Sequence, residues 1–341
     1  MPPFLRAIFT LGALLFGVSA GASAVGIALG TALPDRVLLF ESTRSRVFDT
    51  YLLDAARGIV RPLLRSSALP DGCFQAAWSP DGRRVACRAR GQRAVYLIDP
   101  LTGHIERIDG IAYEAGVAWS PDGTRLAYLI AGQQDGIGIL DLASGTRAHL
   151  PAAGFSARPV WSPDGTQIAF GSTLEGLIVA RGDGSARRAI GVRLNTIAPP
   201  VWLPDGGTIV FQDGSPGSMQ NLNQVDLRTG AVTPLTTGLY NGRPVISPDG
   251  TRLAYIRLAE TGAPDRYELM VRDLADGSTW VLSRRANTYT TPDWSADGAW
   301  IAFESWREGA SGIYIVRADG TDERRVTTSA LDYLPRWRPG R

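Results

Sequence analysis

From residue 36 onward the apolar positions come in short runs separated by polar, glycine-rich turns, a rhythm that predicts strands and not helices. Within the run Gln167-Ile168-Ala169-Phe170, alternation sends Ile168 and Phe170 to one face of a sheet and the small Ala169 to the other. Just upstream stands Trp161-Ser162-Pro163-Asp164-Gly165. Proline pre-sets the first central residue of a type I turn, aspartate suits the second, and glycine accepts the positive φ that returns the chain to a strand. The flanking strands are therefore a hairpin. A third strand follows, as at residues 312–316, then an Asp-Gly or Thr-Gly turn such as Asp319-Gly320 or Thr102-Gly103, then a fourth strand such as residues 323–327.

This unit recurs. Its anchor positions are Trp78, Trp119, Trp161, Trp202, Ile246, Trp294 and Trp337, with successive gaps of 41, 42, 41, 44, 48 and 43 residues. Four antiparallel strands at a period in the low forties predict the blades of a β-propeller. The two ends of the array complement each other. Residues 37–42, 50–54 and 59–64 read as second, third and fourth strands without a first, whereas residues 334–337 read as a first strand without the rest. Pairing them closes the ring and removes its open edges. The expected fold is an all-β, seven-bladed β-propeller closed by its C-terminal strand, with six blades as the alternative count.

Residues 1–35 have another character. The run from Ala7 to Leu33 carries no charge over 27 residues, long enough as a helix to cross a bilayer. Ala22-Ser23-Ala24 also offers a small-x-small cleavage site after a shorter apolar stretch. One N-terminal hydrophobic helix is thus predicted, serving as an uncleaved membrane anchor or, alternatively, as a signal peptide. Either places the domain of residues 36–341 outside the cytoplasm, in the periplasm or at the cell surface. In that setting Cys73 and Cys87, about one diagonal step apart on the first predicted hairpin, are placed either to form a disulfide or to remain two small buried thiols.

The repeated phrase, with Trp-Ser-Pro-Asp-Gly followed by a strand such as Gln167-Ile168-Ala169-Phe170 and later by Ile313-Tyr314-Ile315-Val316 and Asp319-Gly320, resembles the TolB-type β-propeller repeat. The resemblance covers about residues 36 to 341. It departs at Ile246, which replaces tryptophan, and at Leu203 and Ala296, which interrupt the Ser-Pro-Asp phrase. Propellers of this kind serve periplasmic protein binding, peptidase gating and polysaccharide lysis, so the resemblance implies the fold more sharply than the activity.

Composition narrows the chemistry. Thirty-five Lys plus Arg against 33 Asp plus Glu leave a formal charge of +2, which provides no general field for a polyanion, and no nucleic-acid partner is expected. Two histidines and two cysteines are few for a metal centre, and neither metal nor other cofactor is expected. His104 and His149 occupy equivalent places near fourth strands and read as ordinary surface residues. The turn aspartates Asp81, Asp122, Asp164, Asp205, Asp249 and Asp297 read as local turn caps and not as a ring of carboxylates. No catalytic residue is assigned.

Binding is the remaining expectation. Just upstream of the repeat anchors stand Phe74, Tyr113, Phe155, Tyr240, Tyr289 and Tyr333, interleaved with Arg158, Asn241 and Arg243. Rigid rings with arginine and asparagine compose recognition surfaces, and this set is predicted to rim the central opening. The alternative is that the rings plug the space between blades. The expected function is an exported, membrane-tethered, non-catalytic and monomeric propeller that binds a protein or peptide partner in the cell envelope. A glycan or small-molecule lyase or hydrolase working in the central funnel is the rival. Two or more ionisable side chains with strongly shifted pKa values converging there would favour the rival.

Overall fold

The computed structural model describes residues 36–44, 48–64, 69, 71–111, 116–130, 135–152, 154, 158–195, 198–214, 219–238, 240–259, 267–286, 291–328 and 331–340. The predicted N-terminal helix lies outside these residues, as do Tyr113, Phe155 and Tyr289.

Seven four-stranded antiparallel sheets succeed one another along the chain, and in each the strand order follows the chain. The closing sheet is the exception. There Asp332–Trp337 is the inner strand, beside Val37–Ser42, Asp49–Asp54 and Ile59–Pro62. Leu38 lies opposite Trp337 and Leu39 opposite Arg336, as the complementary ends predicted. Arg338 continues the clasp: its amide donates to the Val37 carbonyl at 2.8 Å and its Nε to the Gly82 carbonyl at 2.9 Å. We number the blades 1 to 6 from the inner strand Phe74–Trp78 and call the shared one the closing blade. Seven blades, and not six, make the ring.

What joins the blades is the size alternation read from the sequence. Ile168 and Phe170 pack with Leu129, Ile137 and Leu150 of blade 2, while Ala169 joins Trp202, Ile209 and Phe211 of blade 4. Seven apolar clusters result, one for each pair of neighbouring blades. The cluster that shuts the ring sets Trp300 and Ile315 against Leu38, Tyr51, Leu53 and Trp337. In part of the ring the anchor tryptophans also tie blade to blade. The indole N–H groups of Trp119, Trp161 and Trp202 donate to the carbonyls of Ala77, Ala118 and Val160, at 3.2, 3.1 and 3.2 Å.

The turns behave as their residues require. In Ser162-Pro163-Asp164-Gly165, Gly165 has φ +69° and its amide bonds the Ser162 carbonyl at 2.9 Å, while the Ser162 hydroxyl donates to Asp164 at 2.6 Å. Hydroxyls of Ser120, Ser162 and Ser247 hold Asp122, Asp164 and Asp249 below the usual carboxylate range. These aspartates are turn caps. His104 and His149 are both exposed.

Cys73 and Cys87 form a disulfide, with Cα atoms 5.6 Å apart. It ties the start of the blade 1 inner strand to the strand beside it. The Cys73 amide also donates to Asp49 at 3.0 Å, and its carbonyl accepts the Thr50 hydroxyl at 2.5 Å, so the bridge is anchored to the closing blade as well.

Candidate functional site in the central channel

Inner strands decide what reaches the axis of a propeller. In blades 2, 3, 4 and 6 they are two-residue stubs, Ala118–Trp119, Val160–Trp161, Val201–Trp202 and Asp293–Trp294. In blades 1 and 5 and the closing blade they run longer, as Phe74–Trp78, Asn241–Ile246 and Asp332–Trp337, and each pairing with the second strand contains a register shift. Each bulge carries a non-glycine residue at positive φ: Gln75 at +53°, Arg243 at +59° and Leu334 at +52°. All three stand three residues before the repeat anchor. Side chains tolerate that conformation poorly, and it persists where surrounding structure enforces it, commonly at functional sites.

The same repeat position supplies Gly116 in blade 2 and Arg158 in blade 3. A terminal nitrogen of Arg158 lies 3.1 Å from where a Cβ on Gly116 would stand, as does the Gln75 carbonyl. The absent side chain therefore gives the guanidinium its room. Immediately before the anchor, Ala77, Ala118, Val160, Val201 and Val245 pack against the next blade. In the remaining two blades that position is charged, as Asp293 and Arg336.

Arg158, Arg243 and Arg336 come from blades 3, 5 and the closing blade, yet each of the first two feels Arg336, and Arg158 feels Arg243. Their side chains therefore lie within electrostatic reach of one another although their blades are not neighbours in the ring. Desolvation first, then the neighbouring guanidiniums, push Arg158 down to about 10. Desolvation likewise lowers Arg243, whose guanidinium also bonds the Tyr240 hydroxyl. Arg336 donates to the Thr291 carbonyl at 3.2 Å.

Two carboxylates accompany them. Glu41, 3% exposed, accepts the Gln75 amide. Burial raises its pKa to about 7, against the opposing pull of that amide, Arg158 and Arg336. Asp293 is raised to about 6 by burial, opposed by Arg336 and by the Trp337 amide, which it accepts at 2.6 Å. Near neutral pH three cations thus face carboxylates that burial holds partly protonated. Among the described residues, no group of three or more His, Cys, Asp or Glu side chains is placed to hold a metal ion.

The predicted site residues divide into two kinds. Arg158 and Arg243 belong to the cluster of coupled charges. Phe74 opens the blade 1 inner strand with the Arg88 guanidinium 4.7 Å above its ring, and Tyr333 lies opposite Glu41, 5.9 Å from Phe48. Tyr240 meets Tyr267 edge-on at 5.8 Å and packs on the apolar cluster between blades 5 and 6, the plugging role given above as the alternative. Asn241 is buried, and its amide donates to Asn221 at 2.7 Å and Thr237 at 3.3 Å. Glu41, Asp293, Arg336 and Gln75 were absent from the sequence-derived set. For Asp293 and Arg336 the signal lay in comparing equivalent repeat positions, where a charge replaces Ala or Val.

Residues 73–264, more than half of the chain, match the family model described as the TolB beta propeller domain. This chain belongs to that family. Over 65 residues it is 38% identical to the Tol-Pal system protein TolB of Xylella fastidiosa, a stretch covering 19% of this chain and 15% of that protein. Over 100 residues it is 32% identical to the uncharacterized peptidase YuxL of Bacillus subtilis, covering 28% of this chain and 15% of that protein. The matched stretch is thus about 15% of the length of either relative. Among solved structures, TolB from Acinetobacter baumannii superposes with a TM-score of 0.61 at 17% identity, covering 89% of this chain and 67% of that one. An oligogalacturonate lyase in complex with manganese gives 0.65 at 17% identity, covering 82% and 85%. At such identities the structural likeness establishes the propeller and leaves the activity open.

Proposed function

We propose that this chain is an exported, membrane-tethered propeller that binds a protein or peptide partner in the cell envelope, at the mouth of the central channel, and catalyses no reaction. One observation carries the reading. Phe74, Arg243 and Tyr333 stand early in the three lengthened, bulged inner strands, three or four residues before the anchor, and Arg158 of blade 3 holds the same repeat position as Arg243. Large rings beside guanidiniums are what binding hot spots are made of. The Cys73–Cys87 disulfide and the uncharged run from Ala7 to Leu33 support export to an oxidising compartment. The relatives named for the Tol-Pal system support an envelope partner.

A second reading has an observation of its own. Glu41 and Asp293, both raised toward neutrality, converge in the funnel, as an enzyme acting on a glycan or small molecule would require. Each, however, already accepts a backbone amide, an arrangement suited to counter-charges for the arginines. The two readings separate experimentally. The full chain in detergent is used to capture partners from envelope extract with a crosslinker, in parallel with Arg243→Ala/Tyr289→Ala, positions chosen because Tyr240 is partly core. Loss of capture at unchanged Tm supports binding at this face. New reducing ends released from uronate oligosaccharides, with no captured protein, would establish the enzyme instead.

A further inference from the structure

Among the described residues, Arg158, Arg243 and Arg336 come from three blades and are coupled electrostatically, with Glu41 and Asp293, both raised toward neutrality by burial, beside Arg336. Guanidinium does not deprotonate under physiological conditions. A surplus of fixed positive charge inside a narrow protein wall focuses an attractive potential for anions far beyond what a surface pair produces.

The arginines differ in how far their donors are used. Arg336 is engaged with Thr291 and Arg243 with Tyr240. Arg158 feels Glu41, but among the described residues it makes neither a hydrogen bond nor an ion pair within 4 Å. It is nonetheless half-buried and lodged over Gly116. Among the described residues, its rigid fork of five N–H donors is therefore left for a ligand.

We infer that Arg158, with Arg243 and Arg336 beside it, is a carboxylate-recognition site that takes an acidic side chain or the C-terminal carboxylate of the bound peptide. The inference rests on the peptide-binding reading above and specifies its chemistry. Carboxylate is the anion favoured by the surroundings. A planar two-oxygen group matches the guanidinium fork, and the anions the cluster already tolerates, Glu41 and Asp293, are carboxylates on short apolar stems. The rings of Phe74 and Tyr333 stand on the same bulged strands as Gln75 and Leu334, and suit a side chain with an alkyl stem better than a strongly hydrated phosphate.

The test uses the full chain in detergent and two sets of probes. The first is calorimetric titration with glutarate, its neutral diamide and inorganic phosphate. The second is an array of random dodecapeptides whose binders are remade with each Asp or Glu changed to Asn or Gln, and with free or amidated C termini. Glutarate is expected to bind saturably and the diamide not to bind. Each peptide binder should contain one carboxylate whose removal weakens it by about tenfold or more. Arg158→Gln should weaken the acidic peptide to the level of its amide counterpart and leave the amide counterpart unaffected. Because the amide peptides are read on the unaltered protein, the result survives any instability of the variant. Peptides that bind equally well as amides would overturn the carboxylate site and leave peptide binding standing. Glutarate binding through Arg158 with no peptide binder would overturn the peptide reading instead. Phosphate binding tighter than glutarate, or a glutarate site indifferent to Arg158→Gln, would refute the assignment.

Discussion

Arg158 rests over Gly116, its terminal nitrogen 3.1 Å from the place a Cβ would take. No positive φ is imposed on Gly116, so alanine or valine meets no backbone penalty there and acts only by crowding the guanidinium and the Gln75 carbonyl. Gly116→Val is expected to displace Arg158 and weaken glutarate by roughly the tenfold that a lost charged hydrogen bond implies. Calorimetry on the variant reads the affinity, and Tm should move little.

Glu41 gives a signed pH dependence. Its pKa rises from the ordinary 4.5 to about 7 in the folded protein, so the native state binds the proton more tightly than the unfolded chain does. The associated stability is fully present below pH 4.5 and is lost as the pH climbs through 7, on the order of 3 kcal/mol in all. Asp293, raised from 3.8 to about 6, acts in the same direction. The groups facing Glu41 are the Gln75 and Ala76 amides, Arg158 and Arg336. Urea unfolding of Glu41→Gln should match the parent near pH 5 and exceed it at pH 8. A parent whose stability rises from pH 5 to 8, with Glu41→Gln unchanged, would contradict this.

The disulfide fixes a short loop, with a sequence separation of 14, and a cross-link of that span contributes about 3 kcal/mol in the chain-entropy account. Cys73→Ser/Cys87→Ser is expected to lower the urea-unfolding free energy by about 2–4 kcal/mol. It should also loosen the adjoining Phe74–Gln75 bulge that holds Glu41, and so reduce glutarate affinity, which simple destabilisation far from the channel would not.

Trp337 is 6% exposed and joins Leu38, Leu53 and Ile315 in the cluster that shuts the ring. Trp337→Ala should cost about 3–5 kcal/mol, measured by denaturant unfolding. Trimming the inner strand Asp332–Trp337 altogether should cost more, because the Val37–Ser42 edge is then bared.

The fold was legible because each of its determinants is local and repeated. The Ser-Pro-Asp-Gly turn, the Ile-Ala-Phe alternation and the anchor tryptophans each recur often enough to predict seven blades with six as the alternative, and the orphan ends at residues 37 and 337 announced closure. The channel was legible only in part. Arg158 and Arg243 stand beside aromatic residues and were marked, whereas Glu41 and Asp293 lie inside strands whose neighbours are apolar, where a charge reads as an ordinary solvent-facing position. What makes them part of the site is a bulge at Gln75 and the meeting of blades far apart in the chain, and neither is written in a local pattern. Asn241 shows the converse. Its position suggested a rim contact, but a neighbouring asparagine takes its amide.

Pairing of Leu38 with Trp337 also bears on when the molecule can finish folding. Contacts separated by nearly the whole chain form late and slowly. A nascent polypeptide can assemble its middle blades early, yet it keeps two raw sheet edges until Asp332–Trp337 emerges. During that interval the open edges are most exposed to aggregation, and the final step resembles fastening a belt more than stacking another layer.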